Sequence, residues 1–396
     1  MNTEVYQKLL RPAWFEIDLD ALKNNFQETA RLVGREVKII GALKCDAYGF
    51  GYLEVAEEII SLGAYGVAVA DLFEAVNLRE RGIKAPILLY ANNLPSTAET
   101  VIKYNLIPTV VDAESAEIYS KHASSPLSVF VKVDVGLQRI GVLPEEAVPL
   151  VEKIAALKHI VINGIYTHFH FSENDEYDEY MNWQLDQFKS VVNRLEAKGI
   201  EIPIKMASAT PSILQFPQTY FNCVDPGRLL FGNPVVAQPR QGVQLKPVFR
   251  SLKVQIIAIK TIHPRMEFED EAPFPVPGNM RVGIIPIGWG DGYSRKHSLG
   301  GQVLVHGKRI PVLNGINFEH TRINLTSIPE ARIGDEAVLI GIHHDEEISL
   351  EEVKKIRTTD LHEVCQSVRN HISRLYIKNG KPYKLKTPLG ETFFNS

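Results

Sequence analysis

The chain has 396 residues, longer than the span over which one hydrophobic core keeps growing, so two domains are expected. Hydrophobic residues at 45%, charged residues at 23% and a net charge of -4 describe an ordinary soluble globular composition and leave no basic footprint for nucleic acid. The three cysteines, Cys45, Cys223 and Cys365, are odd in number, far apart and lack CxxC spacing, so neither a disulfide framework nor a cysteine zinc site is suggested, and no apolar run approaches membrane-spanning length.

Met1 to Tyr6 carries no basic segment followed by an apolar one, so a cytoplasmic location is expected, with small molecules or another protein as partners. From Trp14 to about Val235, short apolar runs alternate with amphipathic stretches. Trp14 to Ile17 reads as a strand, followed by a helix beginning near Asp18 in which Leu22, Phe26 and Val33 recur at helical spacing. Further strands are predicted at Val37 to Leu43, Gly66 to Ala70, Pro86 to Tyr90, Pro108 to Val111, Ser128 to Val133, Ile160 to Ile165, Ile204 to Ala207 and Phe221 to Val224. Helical patterns separate most of them, the signature of repeated βα units closing into a (β/α)8 barrel.

After Pro239 the runs are short, β-rich and punctuated by Gly and Pro: Leu252 to Ile259, Arg281 to Ile287, Gln302 to Val305, Ile310 to Leu313 and Glu336 to Ile340. They predict a mostly antiparallel β domain, with Leu350 to Ile356 as a helix and Glu363 to Leu375 as a second exception. The expected division is an N-terminal extension over 1–11, the barrel over 12–240 and a C-terminal mostly-β domain over 241–396.

In such barrels the reactive groups stand just after the strands. Lys44 follows an apolar run and precedes a turn containing Gly49 and Gly51, where lost hydration lowers an amine's pKa and makes it a nucleophile. Alone it would read as a surface lysine at a strand end. Asp134 with Arg139, His168 with His170, Ser208 with Thr210, and Asp225 with Gly227 and Arg228 occupy four more strand ends, and together they favour a site. The turn Asp225-Pro226-Gly227-Arg228 offers backbone amides to a phosphate, although an ordinary Pro-Gly turn reads the same way. His168-Phe169-His170 is followed by an acidic run that fits the solvated start of a helix carrying Trp183 and Phe188, so no metal is expected.

Four segments, Lys44-Cys45-Asp46-Ala47-Tyr48-Gly49, Val133 to Gly141, Gly164 to Phe169 and Pro286-Ile287-Gly288-Trp289-Gly290-Asp291-Gly292-Tyr293, resemble those of the alanine racemase family in order and spacing, within a likeness covering about residues 11 to 376. The resemblance implies a fold-type III pyridoxal 5'-phosphate (PLP) enzyme, acting on an amino acid as a head-to-tail homodimer with shared active sites. Lys44 matches the PLP-binding Schiff-base lysine, Tyr48 the phosphate-contacting tyrosine, and Thr210 a phosphate-binding serine. Gly227 and Arg228 would supply backbone amides to the phosphate, and His168 matches the histidine beside the pyridine ring. Lys132 matches a lysine carbamylated in many members, and Arg139 the arginine near cofactor and substrate carboxylate.

The departures carry as much information. Asp270 stands where the family has its second catalytic base, a tyrosine; Trp289 replaces a gate tyrosine, Phe318 begins the segment matching Met-Asp-Gln, and His362 matches a phosphate-contacting tyrosine. Asp225 replaces the arginine set against the pyridine nitrogen. Opposite charges about 4 Å apart at an effective dielectric of about 20 attract by roughly 4 kcal/mol, or about 3 pKa units, so a carboxylate there favours the pyridinium and a stronger electron sink. The expected activity is interconversion of L- and D-amino acids by Cα proton transfer, with Lys44 on one face and Asp270 on the other. The alternative is decarboxylation or other chemistry confined to one face, to which Asp225 and the missing tyrosine point. A PLP-binding protein without turnover, or a barrel without PLP, is the reading from a different class.

Overall fold

The computed structural model describes residues 3–171, 177–233, 236, 238–240, 242–264 and 273–394. The chain folds as two units, Ala21–Pro247 and Met1–Asp20 with Val248–Ser396. Strand β1 (Ala13–Asp18) heads the alternating run, yet it does not enter the barrel. It pairs antiparallel with Phe249–Gln255 and parallel with Ser373–Lys378. A strand followed by the amphipathic helix Leu19–Val33 has the same local pattern as a barrel βα unit, and only the distant partners tell them apart. The helix Thr3–Lys8, in the expected N-terminal extension, also folds with this unit: Val5 is buried with Trp14, Leu375, Ile377, Leu385 and Phe394.

The barrel consists of β2 (Lys38–Ala42), β3 (Gly66–Val69), β4 (Ile87–Leu89), β5 (Ile107–Val110), β6 (Leu127–Lys132), β7 (Ile160–Tyr166), β8 (Ile204–Ser208) and β9 (Cys223–Val224). Neighbours are parallel throughout and β9 closes on β2. Each strand sends a side chain into one central cluster: Ile40, Ala68, Leu88, Ile107, Phe130, Tyr166, Ile204 with Met206, and Cys223. Burial on both faces explains why these segments read as continuous apolar runs rather than alternating ones.

In the other unit a nine-stranded sheet contains β1, and Ala258–Ile262, Met280–Ile285 and Thr321–Asn324 form a separate three-stranded sheet. The single run expected over Leu252 to Ile259 therefore divides between two sheets. Ile256 donates its backbone N–H to Asp335, and the chain changes partners although its apolar character continues. The helix expected at Leu350 to Ile356 spans Leu350–Arg357, and the second exceptional segment holds the helix Leu361–Ser367 and the start of Ser373–Lys378.

The turn after Lys44 is the least ordinary local feature. Cys45, Asp46, Ala47 and Tyr48 all adopt left-handed backbone, with φ of 56°, 54°, 51° and 58°. For L-residues this costs about 1–2 kcal/mol each, so the surroundings must hold it. Ala47 N–H donates to Leu43 O at 2.8 Å and Gly51 N–H to Asp46 O at 2.9 Å. Asp46 N–H donates to Glu74 Oε1 at 2.8 Å, and Tyr52 N–H to Asp46 Oδ1 at 3.1 Å. The glycines at 49 and 51 complete the reversal, with φ of 91° and 92°.

Burial raises the Glu74 carboxyl to about 7, with the Asp46 N–H acting against it and the nearby charges of Asp71 and Asp46 adding to it. Its contribution to stability is thus fully present below the unfolded value near 4.5 and is lost as pH rises through about 7. Glu74→Gln keeps an acceptor for Asp46 N–H and removes this titration; in urea unfolding between pH 4.5 and 7 it should flatten the stability profile. Glu74→Ala orphans the N–H and should cost about 1–3 kcal/mol at the acid end. Identical pH profiles in wild type and Glu74→Gln would remove Glu74 from the account.

Candidate active site

The barrel brings the expected groups to one end. Lys44 follows β2, Lys132 ends β6, His168 follows β7, Thr210 follows β8 and Asp225 follows β9. Arg139 stands exposed in the loop after β6, whose shape is set by Asp134. The Asp134 carboxylate accepts the backbone N–H groups of Gly136 at 3.0 Å, Gln138 at 3.1 Å and Arg139 at 2.6 Å. Burial alone would raise that carboxyl; these backbone donors outweigh it and hold it below its ordinary range. Asp134 is therefore a loop anchor. Ser208 is likewise internal scaffolding, its hydroxyl bonded to Thr219, and His170 is exposed, its backbone paired with Gln184.

The remaining groups form one electrostatic cluster. Burial lowers the pKa of the Lys44 amine, the Asp225 charge opposes that shift, and Arg139 adds to it. Lys132 is brought down to about 8 by burial and then by Arg139, with Asp225 and Asp134 opposing; its Nζ lies 5.5 Å from the centre of the Tyr166 ring. His168 falls to about 3, through burial and then the charges of Lys44, Arg139 and Lys132, so its imidazole is neutral. Asp225 moves the other way. Burial raises it to about 7 even though a Tyr90 hydrogen bond, Lys44 and Lys132 all favour its ionised form. The carboxylate assumed from sequence is thus a group whose charge depends on its company.

Two features at the β9 end fit a phosphorylated ring. Tyr90 Oη donates to Asp225 Oδ2 at 3.0 Å, while buried Oδ1 has no hydrogen-bond partner. A ring N–H would supply one. Nearby, the Thr210 hydroxyl accepts from Gly227 N–H at 3.4 Å and Leu229 N–H at 3.1 Å, gathering donors that can turn to an anion. A Cβ on Gly227 would lie 2.3 Å from Tyr48 Oη, so a side chain there would force that phenol to shift away from the cradle. Burial pushes the Tyr48 phenol up, and it remains a donor.

Trp289, Phe318 and His362 belong to the other unit. Trp289 and Phe318 are brought together, with ring centres 3.7 Å apart and Arg295 stacked 4.6 Å from the Trp289 ring. Their loop is held by buried Asp291, which accepts two bonds from Arg11 at 2.7 and 2.8 Å, one from Gly288 N–H at 2.8 Å, and contacts His371 at 2.7 Å. His362 is buried on the helix Leu361–Ser367, its N–H capped by Asp360. Asp270 lies outside the described residues, as do Glu173, Asp175 and Glu176 of the acidic run. Among the described residues there is no group of three His, Cys, Asp or Glu side chains able to hold a metal, and no helix is long and apolar enough to cross a membrane.

Tyr90 is the residue the sequence conceals. It ends the strand predicted over Pro86 to Tyr90, so the strand-end argument applies to it, but an aromatic residue there reads as core.

The alanine racemase N-terminal domain matches residues 17–234 and the alanine racemase C-terminal domain residues 249–376. An alanine racemase from Halothermothrix orenii is 36% identical, covering 93% of this chain and 98% of that protein. Alanine racemase 1 from Clostridium acetobutylicum is 34% identical, covering 95% and 98%. Among solved structures, alanine racemase from Clostridium difficile superposes with a TM-score of 0.88 at 28% identity, over 96% of this chain and all of that one (100%). Alanine racemase from Bacillus anthracis with bound L-Ala-P gives 0.84 at 26% identity, over 96% and 99%. With both domains matched in order and its relatives aligned nearly end to end, the chain belongs to the alanine racemase family.

Proposed function

We propose that this racemase interconverts the L- and D-forms of an amino acid using PLP held at Lys44, as a homodimer with shared active sites. The observation that carries the reading is the Lys44 amine, its proton affinity lowered by burial, beside a carboxyl group with one buried oxygen left over for a ring N–H. The residues present fit the group. Thr210, Tyr48 and the amides of Gly227 and Arg228 would take the phosphate, His168 the ring face, and Asp225 Oδ1 the nitrogen. His362 is proposed as a further phosphate contact, in the place of the family's tyrosine.

The chemistry PLP would supply when bound is withdrawal of electron density from the substrate Cα, which would acidify its proton. Lys44 Nζ would hold the cofactor and would take or return the Cα proton on one face. Asp270 is assigned to the opposite face, which requires a carboxyl raised toward neutrality. Arg139 is proposed to hold the substrate carboxylate, with Trp289 and Phe318 as further substrate-binding residues by their family positions. Asp225 gives the second reading its support: a negative charge on Oδ1 stabilises a positive ring nitrogen, which favours one-face chemistry such as decarboxylation.

The purified chain with PLP should be yellow, bleached by borohydride, and colourless when carrying Lys44→Ala. Single-enantiomer amino acids incubated in deuterated water separate the two reactions. Deuterium at Cα with inversion is the expected result; exchange with retention, or carbon dioxide release, would replace racemisation with the second reading. Gly227→Ala drives a methyl into Tyr48 Oη and should weaken PLP binding about tenfold, roughly 1.4 kcal/mol, with the fold intact by circular dichroism. Asp225→Asn should retain PLP yet slow Cα exchange by about tenfold or more, since the ring nitrogen loses a charge interaction worth roughly several kcal/mol. Unchanged exchange in that variant would take Asp225 out of the mechanism.

A further inference from the structure

We infer that Tyr90 is a positioning residue for Asp225: its hydroxyl engages Oδ2, so that Oδ1 is the oxygen presented to the ring nitrogen, and it keeps that carboxylate from withdrawing the nitrogen's proton. The inference rests on the reading that PLP sits with its nitrogen at Asp225.

The geometry is asymmetric in a way a simple core contact would not require. One carboxyl oxygen receives Tyr90 Oη at 3.0 Å and the other is enclosed without a hydrogen-bond partner. Tyr90 directly follows β4 and packs, partly buried, on the central cluster. Its ring centre lies 6.3 Å from that of Tyr166, whose own hydroxyl meets Thr109 Oγ1 at 3.0 Å. The phenol is therefore held in place by packing while its hydroxyl faces β9. Burial and then the Asp225 charge push the Tyr90 phenol well above its ordinary pKa, so it stays a donor.

The other titratable groups that feel Asp225 are Lys44 after β2, Tyr48 in the left-handed turn, Lys132 on β6, Tyr166 on β7 and Cys223 on β9. Burial drives the carboxyl toward the neutral form. A proton lying between Oδ1 and a pyridine nitrogen goes to the more basic partner. A donor on Oδ2 stabilises the ionised carboxylate, lowers its basicity, and leaves the proton on nitrogen. Tyr90 thereby sets how strong an electron sink the site makes.

The test uses the full chain with and without PLP labelled with 15N at the ring nitrogen. In the cofactor-free chain, infrared titration follows the Asp225 carboxyl, assigned by its loss in Asp225→Asn. Tyr90→Phe should raise its pKa by about one to two units. With PLP bound, the ring 15N resonance should move toward the unprotonated position in the same variant. Tyr90→3-fluorotyrosine, a stronger donor of nearly equal volume, should move the carboxyl the other way, a reversal that a packing role does not produce. Thr109→Val breaks the neighbouring bond but spares the Tyr90 hydroxyl, and should shift neither signal.

An unchanged carboxyl pKa in both Tyr90 variants, or an equal shift in Thr109→Val, would overturn the role of Tyr90. A wild-type chain that binds no PLP, or binds it with an unprotonated nitrogen, would instead overturn the reading of the cofactor site, while the cofactor-free titration still decides on Tyr90.

Discussion

A carboxyl group enclosed at the end of β9 and two amines that have lost hydration beside it determine how the barrel end behaves. Each is displaced from its ordinary pKa chiefly by burial, Asp225 upward and Lys44 and Lys132 downward. The carboxyl and the amines offset one another, because ionising the carboxyl makes protonation of either amine easier, whereas the charge of Lys44 adds to the fall of Lys132. Asp225, raised to about 7, and Lys132, lowered to about 8, are thereby brought near neutral pH, where isolated lysine and aspartate are fixed in charge. Arg139 biases this balance toward neutral amines, and with a raised carboxyl and a neutral imidazole the site contains several groups able to change or share a proton without leaving it.

Holding these groups together requires a scaffold that tolerates local cost. The central cluster of the barrel is contributed by every strand, so the strand ends are rigid supports for the site residues that succeed them. The left-handed turn after Lys44 is the place where that rigidity is used. Four non-glycine residues accept an unfavourable backbone so that the chain can reverse at once and return Tyr48 to Gly227, and buried Glu74 supplies the acceptor that keeps the turn from relaxing. In the other unit, Asp291 plays a corresponding part by tying Arg11, His371 and Gly288 around the loop that carries Trp289.

Family membership and the chemistry of individual positions answer different questions. The racemase assignment follows from likeness along the whole chain. In the proposed mechanism the balance between two-face and one-face proton transfer depends on a few groups, among them Asp225 and its hydrogen-bond partner Tyr90. A carboxyl held by a phenol on one oxygen is a tunable partner for a ring nitrogen, where a guanidinium would be a fixed positive charge.

The barrel was legible in the sequence because parallel strands buried on both faces must be apolar runs, and the helices between them must be amphipathic. The same logic places Lys44, His168, Thr210 and Asp225 just after strands. Local pattern could not assign β1, since a strand and its succeeding helix look alike whether their partners lie next in the chain or at Phe249–Gln255 and Ser373–Lys378. Nor could it separate Asp134, Ser208 and His170, which serve the scaffold, from neighbours of the same polarity that face the cluster. The sequence by itself determined which chemical groups were available and the order in which they come after the strands. Tertiary structure alone decided their charge states and the Tyr90–Asp225 bond, because desolvation and hydrogen bonding depend on residues 135 positions apart in the chain meeting in space.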